Sequence, residues 1–302
     1  MTYTKVTDNI FTGAFSSVID THEAKPVTTS NMTCIALSDE LVFVDCGLSS
    51  KFAAKFRKDM EEKFQRKTSH LLLTHLHQDH YWAMGAFKDV NVVASRKERS
   101  YLKRILKNIK SRKEQWAGRF ISNETIAKAI INANLFLPNI SVKEKLSIGS
   151  GKGVIFQVTG RHSSGSAYVY SRSERVLCTG DNLLTCYAQL FGNGEKMLET
   201  YRHWETLDIE HVVPGYGEVV SKEYITKVRS YFEELISTLK ELEDKQLDLK
   251  SILKQPKLPI YFSRNHASWI EGSRYHTGWL NNSIIYWYKK LTKQKRSRDV
   301  CI

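Results

Sequence analysis

The sequence predicts an α/β fold in which helices cover layered β-sheets. Three observations predict it: short β-rich runs alternate with an amphipathic helix in the first 95 residues, β-rich runs return between residues 140 and 220, and a long amphipathic helix follows. Elements in this order bury their apolar faces by stacking in layers. A chain of 302 residues is long enough for one large domain, or for one domain with an appendage.

The first alternation of strand and helix lies near the N-terminus. The runs TCIAL (33–37) and LVFVD (41–45) are β-rich and are separated by three polar residues, which predicts a hairpin. Residues 49–66 carry apolar side chains at helical spacing after a serine N-cap, which predicts an amphipathic helix. Two more buried strands are predicted by the apolar runs HLLLT (70–74) and VNVVAS (90–95).

Residues 96–137 have a different composition. Apolar residues from Tyr101 to Ile109 recur at helical spacing, and most of the residues between them are Lys or Arg. This pattern predicts a helical insertion with a basic outer face. A solvated surface explains such a face more simply than a nucleic-acid groove, because interleaved aromatic residues are sparse in this segment.

Strand patterns return after residue 140 and end in a long helix. Four β-rich runs are bounded by Gly and Ser, namely KLSIGS, GVIFQVTG, SAYVYS and ERVLCTG. Apolar residues from Ile225 to Leu242 then recur at helical spacing, and a Trp- and Tyr-rich tail follows. We therefore expect a main domain at residues 1–220 and a C-terminal helical extension at residues 221–302 that packs on it.

Composition narrows the classes of function. The formal net charge of +13 attracts anions, although a lysine-rich solvated surface explains it more simply. No apolar run is long enough to span a membrane, and the N-terminus lacks the pattern of a secretory signal. The five cysteines are scattered and odd in number, which favours free thiols and a cytoplasmic location.

The stretch THLHQDH (74–80) is the strongest functional signal in the chain. Directly after a predicted strand it contains His75, His77, Asp79 and His80. A lone histidine usually makes a hydrogen bond in the core, whereas ligands packed this tightly suit one metal ion, or two at about 3.5–4 Å from each other. Nitrogen and oxygen donors without a nearby cysteine suit zinc, iron or manganese.

Two later segments place ligand-capable residues at predicted strand ends. His162 lies in the Gly/Ser-rich loop VTGRHSSGS (158–166), and Asp181 directly follows the strand of LCTGDNLL (177–184). Sites in layered α/β folds assemble at such strand ends. Both residues are therefore candidate ligands for the same metal site.

The chain resembles the metallo-β-lactamase superfamily in five segments. They are DCG (45–47), THLHQDH (74–80), TGRHSSGS (159–166), TGD (179–181) and PGYG (214–217), in the family's order. The resemblance implies an αββα sandwich, in which two facing sheets lie between outer helices and a metal site lies at one edge. Together with the basic segment at residues 96–137 and the C-terminal segment at residues 221–302, the resemblance predicts this sandwich with a helical insertion and a C-terminal helical extension.

The resemblance also implies a role for each candidate residue. A first metal would be bound by His75, His77 and His162, and a second by Asp79 and His80. Asp181 would bridge the two metals, and Asp45 would orient the ligand loops by hydrogen bonding.

One position departs from the family's pattern, in which the last motif is usually P-G-H-G. Here Tyr216 replaces the histidine that completes the second metal site. Tyr216 could bind that metal as a phenolate, despite an ordinary pKa of about 10. Alternatively the second metal lacks a ligand and is loosely held, or the site holds one metal and Tyr216 contacts substrate. Aromatic packing of Tyr216 is compatible with the last two interpretations.

Other side chains are weaker candidates. His276, in SRYHTGWLNN, would contact substrate or replace the absent ligand if the tail folds over the site, although packing explains it more simply. His266 has less support still. Tyr81 and Trp82 suit either a pocket wall or the core.

These features predict a metal-dependent hydrolase that holds one or two zinc ions, with iron or manganese also compatible. A metal-activated water would attack an ester, thioester, lactone, β-lactam or phosphodiester bond of a small-molecule substrate, and the charge suits an anionic one. Asp79 would orient that water, and Tyr216 and His276 are the further candidates for substrate contacts. Two alternatives remain: a mononuclear iron oxidoreductase, which the lost histidine favours, and a nucleic-acid-processing enzyme.

Overall fold

The computed structural model describes residues 3–17, 27–118, 124–151, 153–185, 194–245, 248–253 and 284–289. The strands are β1 (Thr4–Lys5), β2 (Ile10–Ser17), β3 (Val27–Ala36), β4 (Glu40–Val44), β5 (Lys67–Leu72), β6 (Asn91–Ser95), β7 (Ile140–Val142), β8 (Lys145–Ile148), β9 (Val154–Val158), β10 (Ala167–Ser171), β11 (Val176–Gly180), β12 (His211–Pro214) and β13 (Val220–Ser221). The helices are α1 (Ser50–Phe64), α2 (Gln78–Tyr81), α3 (Arg96–Leu106), α4 (Ile109–Ala117), α5 (Glu124–Ile131), α6 (Gly194–Thr206), α7 (Glu223–Asp244) and α8 (Leu249–Leu253). A 3₁₀ turn spans Met84–Phe87, and residues 284–289 are helical.

The strands form two sheets. Strands β1 to β7 form the first sheet in chain order, and the second has the order β13-β12-β11-β10-β9-β8. The predicted hairpin is confirmed, since β3 and β4 pair antiparallel with Thr33 opposite Val44. The predicted helix is also confirmed as α1, where the side chain of Ser49 accepts a hydrogen bond from the Phe52 amide. This helix is the crossover that parallel pairing of β4 with β5 requires.

Three apolar clusters separate the layers of the fold. Alternate residues of β4 point to opposite faces of the first sheet, so that Val42 and Val44 lie between the sheets whereas Phe43 faces the helices outside. Between the sheets they meet Phe156 of β9 and Val169 of β10. A third cluster covers the outer face of the second sheet with α6 and α7. The predicted αββα sandwich is therefore confirmed.

The basic segment forms the three helices α3, α4 and α5 on the outer face of the first sheet. Leu102, Ile126 and Ile130 of these helices are buried in the outer cluster of that sheet. The helical character predicted within residues 96–137 is thus confirmed for these three helices, whereas residues 133–137 are not helical.

The described part of the C-terminal extension packs on the second sheet. Helix α7 contributes Phe232 and Leu235 to the outer cluster there, and Trp287 joins it from residues 284–289. A Cβ atom on Gly194 of α6 would lie 1.8 Å from the Trp287 ring, so the two segments are in close contact. The boundary at residue 220 stays a prediction.

Two further findings concern membrane-spanning helices and the cysteines. Among the described residues, no helix has both the length and the apolar character that a membrane crossing needs. Cys34, Cys46 and Cys178 are buried free thiols, whereas Cys186 and Cys301 lie outside the described residues.

Candidate metal centre

The candidate site lies where strands of both sheets end. Strands β4 and β5 are parallel neighbours, and so are β11 and β12, so the residues that follow each pair emerge at one edge. The sheets meet there, because the Ala167 amide donates to the Thr74 carbonyl at 2.8 Å. A Cβ on Gly180 would lie 2.5 Å from the Thr74 hydroxyl, so this approach requires glycine.

Four of the predicted residues converge at this edge. One nitrogen from each of His75, His77 and His162 and one carboxylate oxygen of Asp181 lie within 4.8 Å of one another. His77 Nδ1 is 3.0 Å from His75 Nε2 and 3.1 Å from His162 Nε2. Asp181 Oδ2 lies 3.5 Å from His75 Nε2 and 3.6 Å from His162 Nε2. His77 is 51% exposed, so the group opens to solvent on that side.

His80 lies next to this group, on the other side of Asp181. Its Nε2 atom is 3.1 Å from Asp181 Oδ1, but outside hydrogen-bonding geometry. Both atoms are buried without a hydrogen-bond partner, a costly arrangement that a cation between them would relieve. Three imidazoles and a carboxylate are a donor set that suits a divalent metal ion, and the residues therefore fit one.

Comparison with known proteins identifies the family. The family model described as the metallo-beta-lactamase superfamily matches residues 26–215. The chain belongs to the metallo-beta-lactamase superfamily. No curated protein sequence matches it.

Solved structures of similar fold include TMB-1, which is 16% identical over 76% of this chain and 95% of that chain, with a TM-score of 0.56. The metallo-beta-lactamase from Pontibacter korlensis is 14% identical over 76% of this chain and 97% of that chain, with a TM-score of 0.55. DIM-1 metallo-beta-lactamase, exposed to ceftazidime in its structure, is 14% identical over 76% of this chain and 94% of that chain, with a TM-score of 0.54. At such identities the likeness establishes the fold alone.

Asp45, in the superfamily's DCG segment, holds the histidine loop through three hydrogen bonds. Its carboxylate accepts from the Thr74 amide and hydroxyl, each at 2.7 Å, and lies 2.8 Å from His80 Nδ1. Since the Thr74 hydroxyl donates to Asp45, it accepts from His75 Nδ1 at 3.1 Å. The Nε2 atoms of both histidines are thereby directed away from Asp45 and towards Asp181.

The electrostatics of the site follow from burial and from the two carboxylates. Burial lowers the pKa of His75 to about 4 and that of His162 well below its usual value, so both are neutral donors at pH 7. Burial opposes the charged form of His80, but Asp181 and Asp45 outweigh it and raise its pKa well above the usual value. Burial on its own would raise the pKa of Asp181. The charges of His80 and His75 have the larger combined effect, so that the pKa of Asp181 is well below its usual value.

The structure places Asp79 and Tyr216 beside the central group. Asp79 lies on α2 and its carbonyl accepts a hydrogen bond from the Ser30 hydroxyl. Burial raises the pKa of its carboxyl group, and the carboxylate is outside the set of four converging donors. The Tyr216 ring lies 5.8 Å from the His80 ring, edge to face, at the position of the superfamily's usual histidine. Their roles in metal binding stay predictions.

The remaining candidates lie outside the described residues or in the core. His276 and His266 lie outside the described residues. Tyr81 and Trp82 are buried in the outer cluster of the first sheet, where Trp82 Nε1 donates to the Ile130 carbonyl at 3.0 Å. Core packing, not a pocket wall, is therefore the correct interpretation of these two aromatic residues.

Sequence reasoning missed Asn31, which positions the loop of Tyr216. The Asn31 side chain donates to the carbonyls of Pro214 at 2.9 Å and Gly217 at 3.0 Å. The backbone amide of Asn31 donates to the Gly215 carbonyl at 2.8 Å. No local pattern signals this contact, because Asn31 is 183 residues from Pro214.

Sequence reasoning also missed Glu98, a buried carboxylate on the basic insertion. Glu98 Oε1 lies 2.5 Å from the hydroxyl of Ser163, which directly follows His162. A Cβ on Gly165 would lie 2.4 Å from Ser95 Oγ and 2.8 Å from Glu98 Cγ, so this loop packs tightly on the first turn of α3. Acidic residues favour helix N-termini, and this preference is the sequence signal that could have placed Glu98 in the first turn of α3.

We expect Glu98→Ala to weaken metal binding by about tenfold, because the loop of His162 loses its anchor. Glu98→Gln should largely restore the affinity, since its amide oxygen still accepts from Ser163. Chelator competition measures the affinity, and Glu144→Ala, which removes an exposed carboxylate, is the control. An unchanged affinity in Glu98→Ala would show that α3 does not position His162.

Proposed function

We propose that this protein is a metal-dependent hydrolase in which His75, His77, His162 and Asp181 hold a divalent ion. The convergence of these four donors within 4.8 Å carries the proposal. Membership of the metallo-beta-lactamase superfamily supports it. The bond that is hydrolysed is an ester, thioester, lactone, β-lactam or phosphodiester, since the same chemistry acts on all of them.

Residues of the site would have distinct roles in binding substrate, orienting water and positioning the metal ligands. When bound, a divalent ion lowers the pKa of a coordinated water and polarises a carbonyl or phosphoryl oxygen. Substrate would enter beside His77, the exposed member of the group. Asp79, whose carboxyl pKa is raised by burial, would orient the attacking water and accept its proton. Asp45 would hold His80 and, through Thr74, His75 in their productive orientations.

Zinc is the ion we propose, because three imidazoles and a carboxylate suit it and it needs no redox change for hydrolysis. Iron and manganese suit the same donors. We also propose a cytoplasmic location, which the buried free thiols Cys34, Cys46 and Cys178 support.

Metal analysis and a substrate panel test the hydrolase proposal. Protein purified without chelator should contain one or two equivalents of metal, roughly as known hydrolytic sites do, and should hydrolyse at least one bond in a panel of chromogenic substrates. His75→Ala should lose both properties, whereas His203→Ala, at an exposed histidine of α6, should keep both. Wild-type protein that takes up no transition metal, or a fully active His75→Ala variant, would refute the proposal.

A mononuclear iron oxidoreductase is the second candidate, and Tyr216 is the observation that favours it. Without the superfamily's usual histidine, a second metal would lack one of its nitrogen donors, which favours a site that holds a single ion. Iron as the bound metal, together with oxygen consumption in the presence of thiol or persulfide compounds, would favour this candidate. Zinc with hydrolysis would exclude it.

We expect Tyr216→His to raise the metal content towards two ions per chain. The Tyr216 ring already lies 5.8 Å from the His80 ring, so an imidazole at this position would supply a nitrogen donor beside His80 and Asp181. Elemental analysis after dialysis measures the stoichiometry, and Tyr216→Phe is the control. If the metal content is the same in all three proteins, position 216 lies outside the coordination shell.

A further inference from the structure

Basic side chains are concentrated on the outward face of helices α3 and α4. Residues 96–117 contain nine Lys or Arg and only two Glu, so this short segment carries more than half of the net charge of +13. Arg99 donates to the Pro138 carbonyl, and Lys113 donates to the Ile131 and Ala133 carbonyls. Seven basic side chains remain exposed to solvent: Arg96, Lys97, Lys103, Arg104, Lys107, Lys110 and Arg112. We call these seven residues the basic face.

The basic face has no carboxylate partner within the part of the chain that the structure describes. Other helices pair some of their charges: on α1, Lys55 lies 2.6 Å from Asp59, and on α7, Arg229 lies 2.6 Å from Glu233. The basic face differs from them because seven neighbouring cations are all without such a pair among the described residues.

Helix energetics do not account for the basic face either. Cations near the C-terminus of a helix are favourable, which explains Lys103 and Arg104 on α3. Arg96 and Lys97 lie in the first turn of α3, and Lys110 lies in the first turn of α4, where the helix dipole opposes a positive charge. A bound external anion would offset this local cost.

The shape of the surface favours a nucleic acid over an anionic membrane. A helix that binds a membrane inserts an apolar face, but Leu102, Ile105 and Leu106 of α3 already pack on the protein core. The outward face instead presents Tyr101, which is 43% exposed, with the Arg104 guanidinium 5.7 Å from its ring centroid. An exposed aromatic ring among cations is suited to base stacking.

A groove lies at one end of the basic face, and the metal centre lies near the other. An open groove of about 980 Å³ at the turn between α3 and α4 is lined in part by Lys107, Lys110 and Arg112. Helix α3, about 16 Å long, runs from this groove to its first turn, where Glu98 contacts Ser163 beside His162. A phosphate chain bound along the basic face would therefore extend towards the metal centre.

From these observations we propose that the basic face of α3 and α4 binds the phosphate backbone of a nucleic acid. Tyr101 stacks on an unpaired base, so single strands are preferred to duplexes. The surface acts by charge and stacking, without base-specific contacts. Binding does not depend on the metal centre.

Fluorescence anisotropy with a labelled single-stranded RNA or DNA of about 16 nucleotides tests the proposal. We expect binding in the presence of chelator, with an affinity that falls steeply between about 50 and 200 mM salt. The variant Arg104→Glu/Lys107→Glu/Lys110→Glu should bind at least about tenfold more weakly and show a shallower dependence of affinity on salt. Tyr101→Ala should weaken single-strand binding by about tenfold and duplex binding less.

The matched control is Lys240→Glu/Lys245→Glu/Lys250→Glu, which reverses three exposed lysines on the opposite outer layer. It changes the net charge by the same amount and should bind within about twofold of the wild type if the basic face is the site. Equal weakening in both triple variants would show an effect of overall charge and overturn the proposal. Binding without salt dependence, or tighter binding to vesicles of anionic phospholipid than to nucleic acid, would overturn it as well. Because chelator is present throughout, these outcomes are independent of whether the protein is a hydrolase.

Discussion

Asp181→Asn is expected to abolish metal retention and to reduce any hydrolytic activity by at least about 10³-fold, roughly 4 kcal/mol of transition-state stabilisation. Asp181 is the carboxylate that contacts both parts of the site. Its Oδ2 lies 3.5 Å from His75 Nε2, and its Oδ1 lies 3.1 Å from His80 Nε2. The amide of Asn keeps the shape of the side chain but removes the negative charge that attracts a cation. Elemental analysis and a chelator-competition assay measure the loss.

Asp208→Asn is the control for this prediction. Asp208 is an exposed carboxylate that pairs with Arg175 at 2.9 Å on the protein surface. Surface ion pairs contribute about 0–1 kcal/mol, so metal content and activity should stay at the wild-type level. If Asp181→Asn behaves like this control, the four donors do not form the metal site.

Gly215→Ala is expected to disrupt the site through backbone packing alone, without removing a donor. A Cβ on Gly215 would lie 2.0 Å from Asp181 Oδ1 and 2.8 Å from the Gly180 carbonyl carbon, so the loop or Asp181 must move. We expect a loss of about 1–3 kcal/mol of unfolding free energy from overpacking, and at least about 100-fold weaker metal binding because Asp181 is displaced. Thermal unfolding and chelator competition measure the two effects.

The same substitution at Gly118 separates this clash from the general effect of Gly→Ala. Gly118 ends α4 with φ −60°, and a Cβ there would have no neighbour within 4 Å among the described residues. Gly118→Ala should therefore leave metal binding unchanged and be neutral or stabilising by about 0.4–1 kcal/mol. Wild-type metal affinity in Gly215→Ala would show that the loop tolerates the shift without moving Asp181.

The four-donor group is held together by contacts between the two sheets. Thr74 lies at the centre of these contacts: its carbonyl accepts from Ala167, and its hydroxyl links Asp45 to His75. The ligands of the first sheet are thereby registered against Asp181, which follows β11 of the second sheet. Loosening this junction should reduce metal affinity before it unfolds the protein.

Local sequence patterns were sufficient to predict the layered fold and the four residues that converge at the site. The spacing of His75 and His77 after an apolar strand, and the positions of His162 and Asp181 at strand ends, depend on backbone geometry that acts over a few residues. Such signals can be read from the chain because the period of an element is independent of its partners.

The contacts that hold these residues in place could not be read from any local pattern. Glu98 meets Ser163 across 65 positions, and Asn31 meets Pro214 across 183, so neither pair has a spacing to detect. Periodicity likewise shows a basic helix but not whether its charges are compensated, because ion-pair partners come from elsewhere in the chain. Short-range geometry thus determined which elements and ligand types are present. The packing of two sheets and their helices decided which buried groups meet, and which cations were left without a partner.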